Sequence, residues 1–373
     1  MRSRWSRLGL VAPILLALSA CADNAPLDTL EPKGPQARTI DNLVNPVFLV
    51  AGVVFVLVQG GILYMIWRYR KRKDDDGSLP GQTHGHLALE LGWTFVPALV
   101  LVGVGVASVL TILDLDETPD DAIEVTVIGQ QWWWEYRYDV DGDGEDDIVT
   151  ANDLVIPAGE PVSLTITSRD VIHSFWIPAL NGKRDAVPGR DHPLHFEADE
   201  PGVYRGQCTE FCGLSHGYMR MRVVALSPAD FADWQADQMT DPALPAEGSL
   251  AAEGRETFNT ACSTCHRVRG ANGNDDIFQG AALVAGAAPD LTHFASRGVF
   301  AGAIFDLWVD EDDSGEVDID ERGGKLNVAA LEAWLRDPPS EKPMYAQGGR
   351  GMPDLELTEE QIDALVAYLE TLE

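Results

Sequence analysis

The chain has 373 residues, room for two or three domains, and sets 59 Asp+Glu against 27 Lys+Arg for a formal net charge of -32 at pH 7. This balance argues against nucleic acid as a partner, since phosphates would be repelled. It suits a face held in water or a basic redox partner steered by charge, and an acidic proteome in a salty habitat accounts for it equally well.

The N-terminus reads as a targeting segment over residues 1–20. Arg2, Arg4 and Arg7 form a basic region and Leu8 to Leu18 an apolar core of signal-peptide length. The stretch Leu18-Ser19-Ala20-Cys21 resembles the lipobox of bacterial lipoproteins, which implies cleavage before Cys21 and a diacylglycerol on its thiol; an ordinary signal peptide with a chance cysteine is the plainer alternative. An outer segment, 21–43, follows. Two apolar stretches, 44–67 and 87–113, are each long enough to cross a bilayer. The loop between them, 68–86, opens with Arg68-Tyr69-Arg70-Lys71-Arg72-Lys73, so the positive-inside rule places it in the cytoplasm and both ends of the hairpin outside. Glu90 sits near the start of the second span, where a carboxylate is costly unless it serves a water-filled path or a partner; an interfacial position explains it as well.

Residues 122–226 alternate apolar and polar, as in Ile123-Glu124-Val125-Thr126-Val127 and Val162-Ser163-Leu164-Thr165-Ile166-Thr167, with Gly, Pro and Asp between. Short strands at this spacing predict an all-β sandwich or small barrel. Residues 227–247, rich in Pro, Ala and Asp, predict a linker with about one helical turn. From 248 to 373 the pattern is helical: Ala251 to Ala261, then Val328 to Leu335 stopped by Pro338-Pro339, then a last helix over Ile362 to Leu372 opened by the capping box Thr358-Glu359-Glu360-Gln361.

Two motifs carry the chemistry. Cys208-Thr-Glu-Phe-Cys212-Gly-Leu-Ser-His216-Gly-Tyr-Met219 groups two thiolates, an imidazole and a thioether, the soft donors that copper prefers. Two thiolates can bridge two copper ions and spread one electron over both. A second imidazole must come from elsewhere; His173 follows a strand and is preferred to His192 and His195. A structural zinc site with two Cys and two His is the alternative, although zinc has no need of Met219. The second motif, Cys262-Ser-Thr-Cys265-His266, is the attachment signature of a c-type haem, with His266 as one axial ligand. Met352, in Gly351-Met352-Pro353, is the expected second ligand and Met344 its rival. Thioredoxin-like and zinc proteins share the thiol spacing. With Cys21 lipidated, these motifs use every remaining cysteine, leaving none for a structural disulfide.

From Glu90-Leu91-Gly92-Trp93-Thr94 through Gln131-Trp132-Trp133-Trp134 to the thiolate loop, residues from about 40 to 226 resemble subunit II of haem-copper cytochrome oxidases. The resemblance implies a cupredoxin-like domain holding the binuclear CuA centre. His173, Cys208, Cys212, His216 and Met219 would bind copper by side chains and Glu210 by its carbonyl, while the Glu210 carboxylate would bind a magnesium shared with subunit I. Trp132 matches the tryptophan through which electrons arrive, and Glu90 the carboxylate at the mouth of a proton path. Residues 248–373 resemble a class I cytochrome c fused to subunit II, as in caa-type oxidases, with an insertion over about 272–327.

That insertion contains Asp310-Glu311-Asp312-Asp313-Ser314-Gly315-Glu316-Val317-Asp318-Ile319-Asp320-Glu321, which fits a calcium-binding EF-hand loop with ligands from Asp310, Asp312, Ser314, Glu316, Asp318 and Glu321. Residues 301–309 would be its entering helix. A weaker match, Asp139 to Gly144, has Thr150 where a bidentate acid belongs; a plain acidic surface loop is the alternative in both places.

The sequence thus predicts a multidomain membrane-anchored chain: a two-helix hairpin, an all-β sandwich and an all-α domain. The resemblance implies a subunit of an aerobic terminal oxidase in the bacterial cytoplasmic membrane, with its redox domains on the periplasmic side. Electrons from cytochrome c or another donor would pass through haem c and CuA to subunit I, where oxygen is reduced with proton pumping; subunit III is a further partner. This chain holds no dioxygen site. A nitric oxide reductase subunit or a free-standing membrane-anchored electron carrier are the alternatives.

Overall fold

The computed structural model describes residues 25–71, 81, 84–119, 121–269, 288–311, 317, 319–345 and 350–373. The signal segment and Cys21 lie outside these residues.

Alternating apolar residues build the β-unit. Strand β1 (Ile123–Gln130) pairs antiparallel with β2 (Trp133–Tyr138) and parallel with β5 (Val162–Ser168). With β3 (Ile148–Ala151) and β8 (His192–Phe196) they form a five-stranded sheet in the order β3-β2-β1-β5-β8. A second sheet, β4-β10-β9, joins β4 (Asp153–Pro157), β10 (Arg220–Leu226) and β9 (Gly202–Gln207). A small ribbon of β6 (His173–Phe175) and β7 (Arg184–Ala186) closes one end. The inward residues of both main sheets, among them Val127, Trp134, Tyr136, Leu154, Leu164, Met221 and Val223, form one core with Phe175 of the ribbon, as a sandwich requires. The architecture is a cupredoxin-like sandwich.

Two apolar helices precede it, α1 (Pro35–Tyr69) and α2 (Leu87–Leu115), both long and apolar enough to span a membrane. Helix α1 begins nine residues before the expected span. Its first turn packs on the sandwich: Ala37 is buried, the Ala37 amide donates to the Leu180 carbonyl at 3.1 Å, and Arg38 pairs with Asp199. Pro35 at the helix start is preset for helical φ.

The segment expected as a linker is instead an eleven-residue helix, α3 (Pro228–Gln238). The Ser227 hydroxyl accepts from the Asp230 amide as N-cap. Phe231 and Trp234, one turn apart, pack on Val155, Val224 and Tyr138. That burial outweighs the weak propensity of the stretch.

In the C-terminal unit α4 (Leu250–Thr257) runs through a π turn, Phe258–Cys262, into the second motif. It crosses the last helix, which spans Glu359–Leu369 and carries the Thr358/Gln361 capping box. At the crossing a Cβ on Gly254 would lie 1.9 Å from the Ala364 carbonyl, and Phe258 packs on Tyr368 at 5.6 Å. Helix α5 (Val328–Arg336) and a short α6 (Pro338–Glu341) precede that last helix, α7. Residues 301–309 are not a helix. They continue a hairpin of β11 (Val299–Phe300) and β12 (Phe305–Asp306), because Ala301, Gly302 and Ala303 all adopt positive φ. The entering helix expected for the calcium loop is therefore replaced by a turn.

Candidate metal centres

Strand β9 ends at Gln207, and the thiolate loop leaves and returns at one neck, where the Cys208 amide donates to the Met219 carbonyl at 3.0 Å. Within the loop the Cys208 and Cys212 sulfurs stand 3.9 Å apart. Cys212 Sγ lies 3.6 Å from His216 Nδ1 and 3.8 Å from Met219 Sδ, while Cys208 Sγ lies 3.3 Å from the Glu210 carbonyl. His173, at the start of β6, offers a ring nitrogen within 4.8 Å of both sulfurs. The fold thus gathers five predicted side chains and one predicted carbonyl around a point. His192 and His195 are engaged elsewhere: His192 Nδ1 bonds the Asp185 carbonyl, and the buried His195 pairs on β8 with Ser163 of β5.

His173 is fully buried. Its Nε2 lies 2.8 Å from Asp170 Oδ1, whereas its Nδ1 has no hydrogen-bond partner. A carboxylate on one imidazole nitrogen fixes the tautomer and frees the other for a metal. Burial works against the His173 cation, but the Asp170 carboxylate and the neighbouring Cys208 sulfur outweigh it and raise the pKa; Asp170 itself is held low despite burial, by His173 and the Gln131 and Val171 amides. The two thiols share a proton, so Cys208 is pushed down and Cys212 up. The orphaned His173 nitrogen and the two soft sulfurs fit copper, and the thioether so close to Cys212 is a donor that zinc would not require.

The tryptophans part company by contact rather than burial, since all three are buried. Trp134 walls the site, edge-on to His173 at 5.9 Å and to Phe175 at 5.5 Å. A Cβ on Gly129 would approach the His173 ring to 2.9 Å, so glycine is what admits the imidazole. Trp132 instead donates Nε1 to the Cys212 carbonyl at 3.1 Å, and Gln131 Nε2 donates to the same oxygen at 2.6 Å. Sequence reasoning missed Gln131 and Asp170; the one signal for Asp170 was its place three residues before a histidine. Glu210 lies exposed at the loop tip beside the exposed Phe211. Glu90 lies in the first turn of α2.

In the second motif the His266 amide donates to the Cys262 carbonyl at 2.9 Å, holding the imidazole one turn beyond the first thiol. His266 Nδ1 lies 2.8 Å from the Pro289 carbonyl, which fixes Nδ1–H as donor and leaves Nε2 for an axial bond. Burial lowers the His266 pKa, keeping the ring neutral, and pushes the Cys262 thiol up to about 11. Met352 packs on the C-terminal core that contains Cys262, whereas Met344 packs on the sandwich core. The donor set fits a c-type haem with Met352 as the more suitable sulfur.

Of the expected calcium loop, Asp312, Ser314, Glu316 and Asp318 lie outside the described residues. Glu321 accepts from the Glu311 amide at 2.8 Å. In the weaker loop Asp139 and Asp141 gather with Asp147, while Thr150 is buried on β3.

Two helices long enough to span a membrane and a sandwich with a two-thiolate loop define a membrane-anchored protein whose loop donors suit a soft metal. Residues 28–111 match the family description "Cytochrome C oxidase subunit II, transmembrane domain" and residues 123–226 match "Cytochrome C oxidase subunit II, periplasmic domain". The chain is 34% identical over 368 residues to cytochrome c oxidase subunit 2 of Alkalihalophilus pseudofirmus, covering 96% of this chain and 94% of that one. It is 31% identical over 388 residues to the Bacillus subtilis subunit 2, covering 100% and 99%. Among solved structures, the periplasmic domain of subunit II from Bradyrhizobium japonicum is similar at 28% identity, covering 33% of this chain and 96% of that one, with a TM-score of 0.31. The chain belongs to the cytochrome c oxidase subunit II family. It is a membrane protein with two spans and a subunit of an oxidase complex, and its family implies the CuA copper centre.

Proposed function

We propose that this chain takes electrons into a haem-copper oxidase through two centres of its own. His173, Cys208, Cys212, His216, Met219 and the Glu210 carbonyl hold a copper pair; Cys262, Cys265, His266 and Met352 hold a covalent haem c. The observation that carries the reading is the buried His173 Nδ1 left free beside two sulfurs, with its other nitrogen fixed by Asp170. When bound, the copper pair supplies a one-electron store shared over two thiolates. The residues do the rest: Asp170 orients the imidazole, Trp134 and Gly129 shape its slot, and the Gln131 and Trp132 bonds to the Cys212 carbonyl fix the loop.

The exposed Glu210 carboxylate reaches outward to a magnesium shared with subunit I, and Glu90 opens a proton path there. The basic stretch after α1 keeps the hairpin loop in the cytoplasm, so both metal units lie on the periplasmic side. The Cys21 thiol carries a lipid. Electrons come from a soluble or membrane-bound donor and leave to subunit I, where oxygen is reduced; calcium in the acidic insertion is an added structural ligand.

The test uses the complex purified from membranes. A mixed-valence paramagnetic signal from two equivalent coppers, a haem with two thioether links and oxygen uptake are the expected results. Zinc on elemental analysis, or nitric oxide turnover in place of oxygen uptake, would overturn the reading.

A further inference from the structure

Residues 342–345, between α6 and the region of Met352, leave the C-terminal unit and lie on the thiolate loop of the sandwich. Lys342 is 3% exposed, and its Nζ donates to the Trp132 carbonyl at 2.6 Å and to the Ala301 carbonyl at 2.9 Å. Both acceptors are neutral carbonyls, and burial pushes the Lys342 pKa down to about 7, so this strap sets a desolvated amine, rather than a solvated surface ammonium, against the Trp132 carbonyl. Its neighbours repeat the attachment. The Ser215 hydroxyl, inside the loop, donates to the Pro343 carbonyl; Met344 packs on the sandwich core; Arg350 stands 3.9 Å from Asp170. Gly302 admits the bridge, because a Cβ there would lie 2.7 Å from the Trp132 carbonyl.

The strap places the Tyr345 ring 6.0 Å from the Trp132 ring. Trp132 is 2% exposed and Tyr345 55% exposed, so a molecule outside the chain reaches the Tyr345 ring before Trp132. From Trp132 the contact continues through Nε1 to the Cys212 carbonyl. A series from aromatic ring to aromatic ring to hydrogen bond to thiolate residue therefore joins the strap to the loop, and at the strap's other side the Met352 amide donates to the Met344 sulfur at 3.2 Å.

We propose that Tyr345 is the contact through which the C-terminal unit passes electrons to the Cys208/Cys212 centre, with Lys342 as the positioning residue that holds it on Trp132. The proposal rests on the reading that the C-terminal unit carries haem. One electron would move: a haem held by Cys262, Cys265, His266 and Met352 would go from ferrous to ferric, and a copper pair held at Cys208 and Cys212 would gain that electron. Because the contacts holding the ring are buried, the transfer is insensitive to salt, unlike docking of a separate donor.

The test photoreduces the haem in the full complex and times the copper absorbance, in wild type and in Tyr345→Phe, Tyr345→Ala and Lys342→Met. The magnetic coupling between the oxidised centres is measured alongside, because it reports their separation. Expected are a wild-type rate unchanged between low and high salt, Tyr345→Phe within twofold, and Tyr345→Ala slower by tenfold or more at unchanged coupling. Lys342→Met should be slow as well, with altered coupling and, in the metal-free chain, faster hydrogen exchange over residues 208–219. Tyr345→Ala at the wild-type rate, or slowed only together with altered coupling, overturns the proposal alone. A wild-type complex without a c-type haem band overturns the proposal together with the reading beneath it.

Discussion

Asp170 has one carboxylate and several partners. Oδ1 meets His173 Nε2 at 2.8 Å and the Val171 amide at 2.7 Å, while Oδ2 accepts from the Gln131 amide at 2.8 Å. It therefore sets both the imidazole and the start of the tryptophan run. Asp170→Asn should weaken copper binding by about 10–100-fold, the usual cost of losing such a partner, with the chain still folded; competition against a chelator of known affinity measures it. For the haem proposed above, Met352→Leu should abolish the sulfur-to-iron absorption band while Met344→Leu keeps it, since Met344 packs on the sandwich core and meets Met352 at its backbone amide, 3.2 Å from the Met344 sulfur. The thiolate loop and the Cys262–His266 turn could be singled out in the sequence because the side chains of each lie within a few residues of one another. His173 was legible by its place after a strand. Asp170 and Gln131 were not, because a partner of a ligand leaves no spacing of its own.

Among the elements, β4, β10 and the C-terminal unit meet at one buried carboxylate. Asp153 on β4 takes Arg222 of β10 at 2.9 Å, the Gly298 amide at 2.7 Å and Arg322 at 3.7 Å. Burial opposes its charge, yet the Arg222 and Arg322 guanidinium groups outweigh that and lower its pKa. A depressed folded pKa gives stability that is fully present above the unfolded value of about 3.9 and is lost as pH falls from there through the folded pKa. Acid should therefore loosen the junction of the two units, seen as rising hydrogen exchange at Gly298. Asp153→Asn takes the nearest carboxylate from Arg322 and from Arg222, which keeps Asp306 at 3.4 Å, and should cost about 3 kcal/mol in denaturant unfolding at pH 7. This junction also explains where element reading failed. Residues 301–309 carry a helical pattern with two alanines, good helix formers. In the structure Ala301 turns its carbonyl to Lys342 and Gly302 passes close to Trp132, contacts that no local pattern encodes. Helix α3 was hidden for a similar reason: its apolar face is just Phe231 and Trp234, useful only once the sandwich lies against it.

At the scale of the molecule, the membrane hairpin is joined to the sandwich by the first turn of α1. The Lys33 amide donates to the Ala179 carbonyl at 2.8 Å, and the Asp199 amide donates back to the Lys33 carbonyl at 2.9 Å. Gly34 sits between, and a Cβ there would lie 2.1 Å from the Glu197 carbonyl, a backbone atom that cannot swing aside. Helix α1 thus carries the orientation of the membrane anchor into the unit that holds the thiolate loop. Gly34→Ala should open this joint, at a cost of about 1–3 kcal/mol typical of overpacking. Gly52, farther along the same helix, has nothing within 4 Å of its would-be Cβ, so Gly52→Ala serves as the matched control. In the purified complex, hydrogen exchange at Lys33, Ala37 and Asp199 should rise in Gly34→Ala and stay unchanged in Gly52→Ala. The copper signal should persist in both, since the joint does not touch the loop. Delivery of electrons to the rest of the complex should slow in Gly34→Ala alone. Equal delivery rates in the two variants, with exchange raised only in the first, would mean that the anchor tethers the sandwich without orienting it.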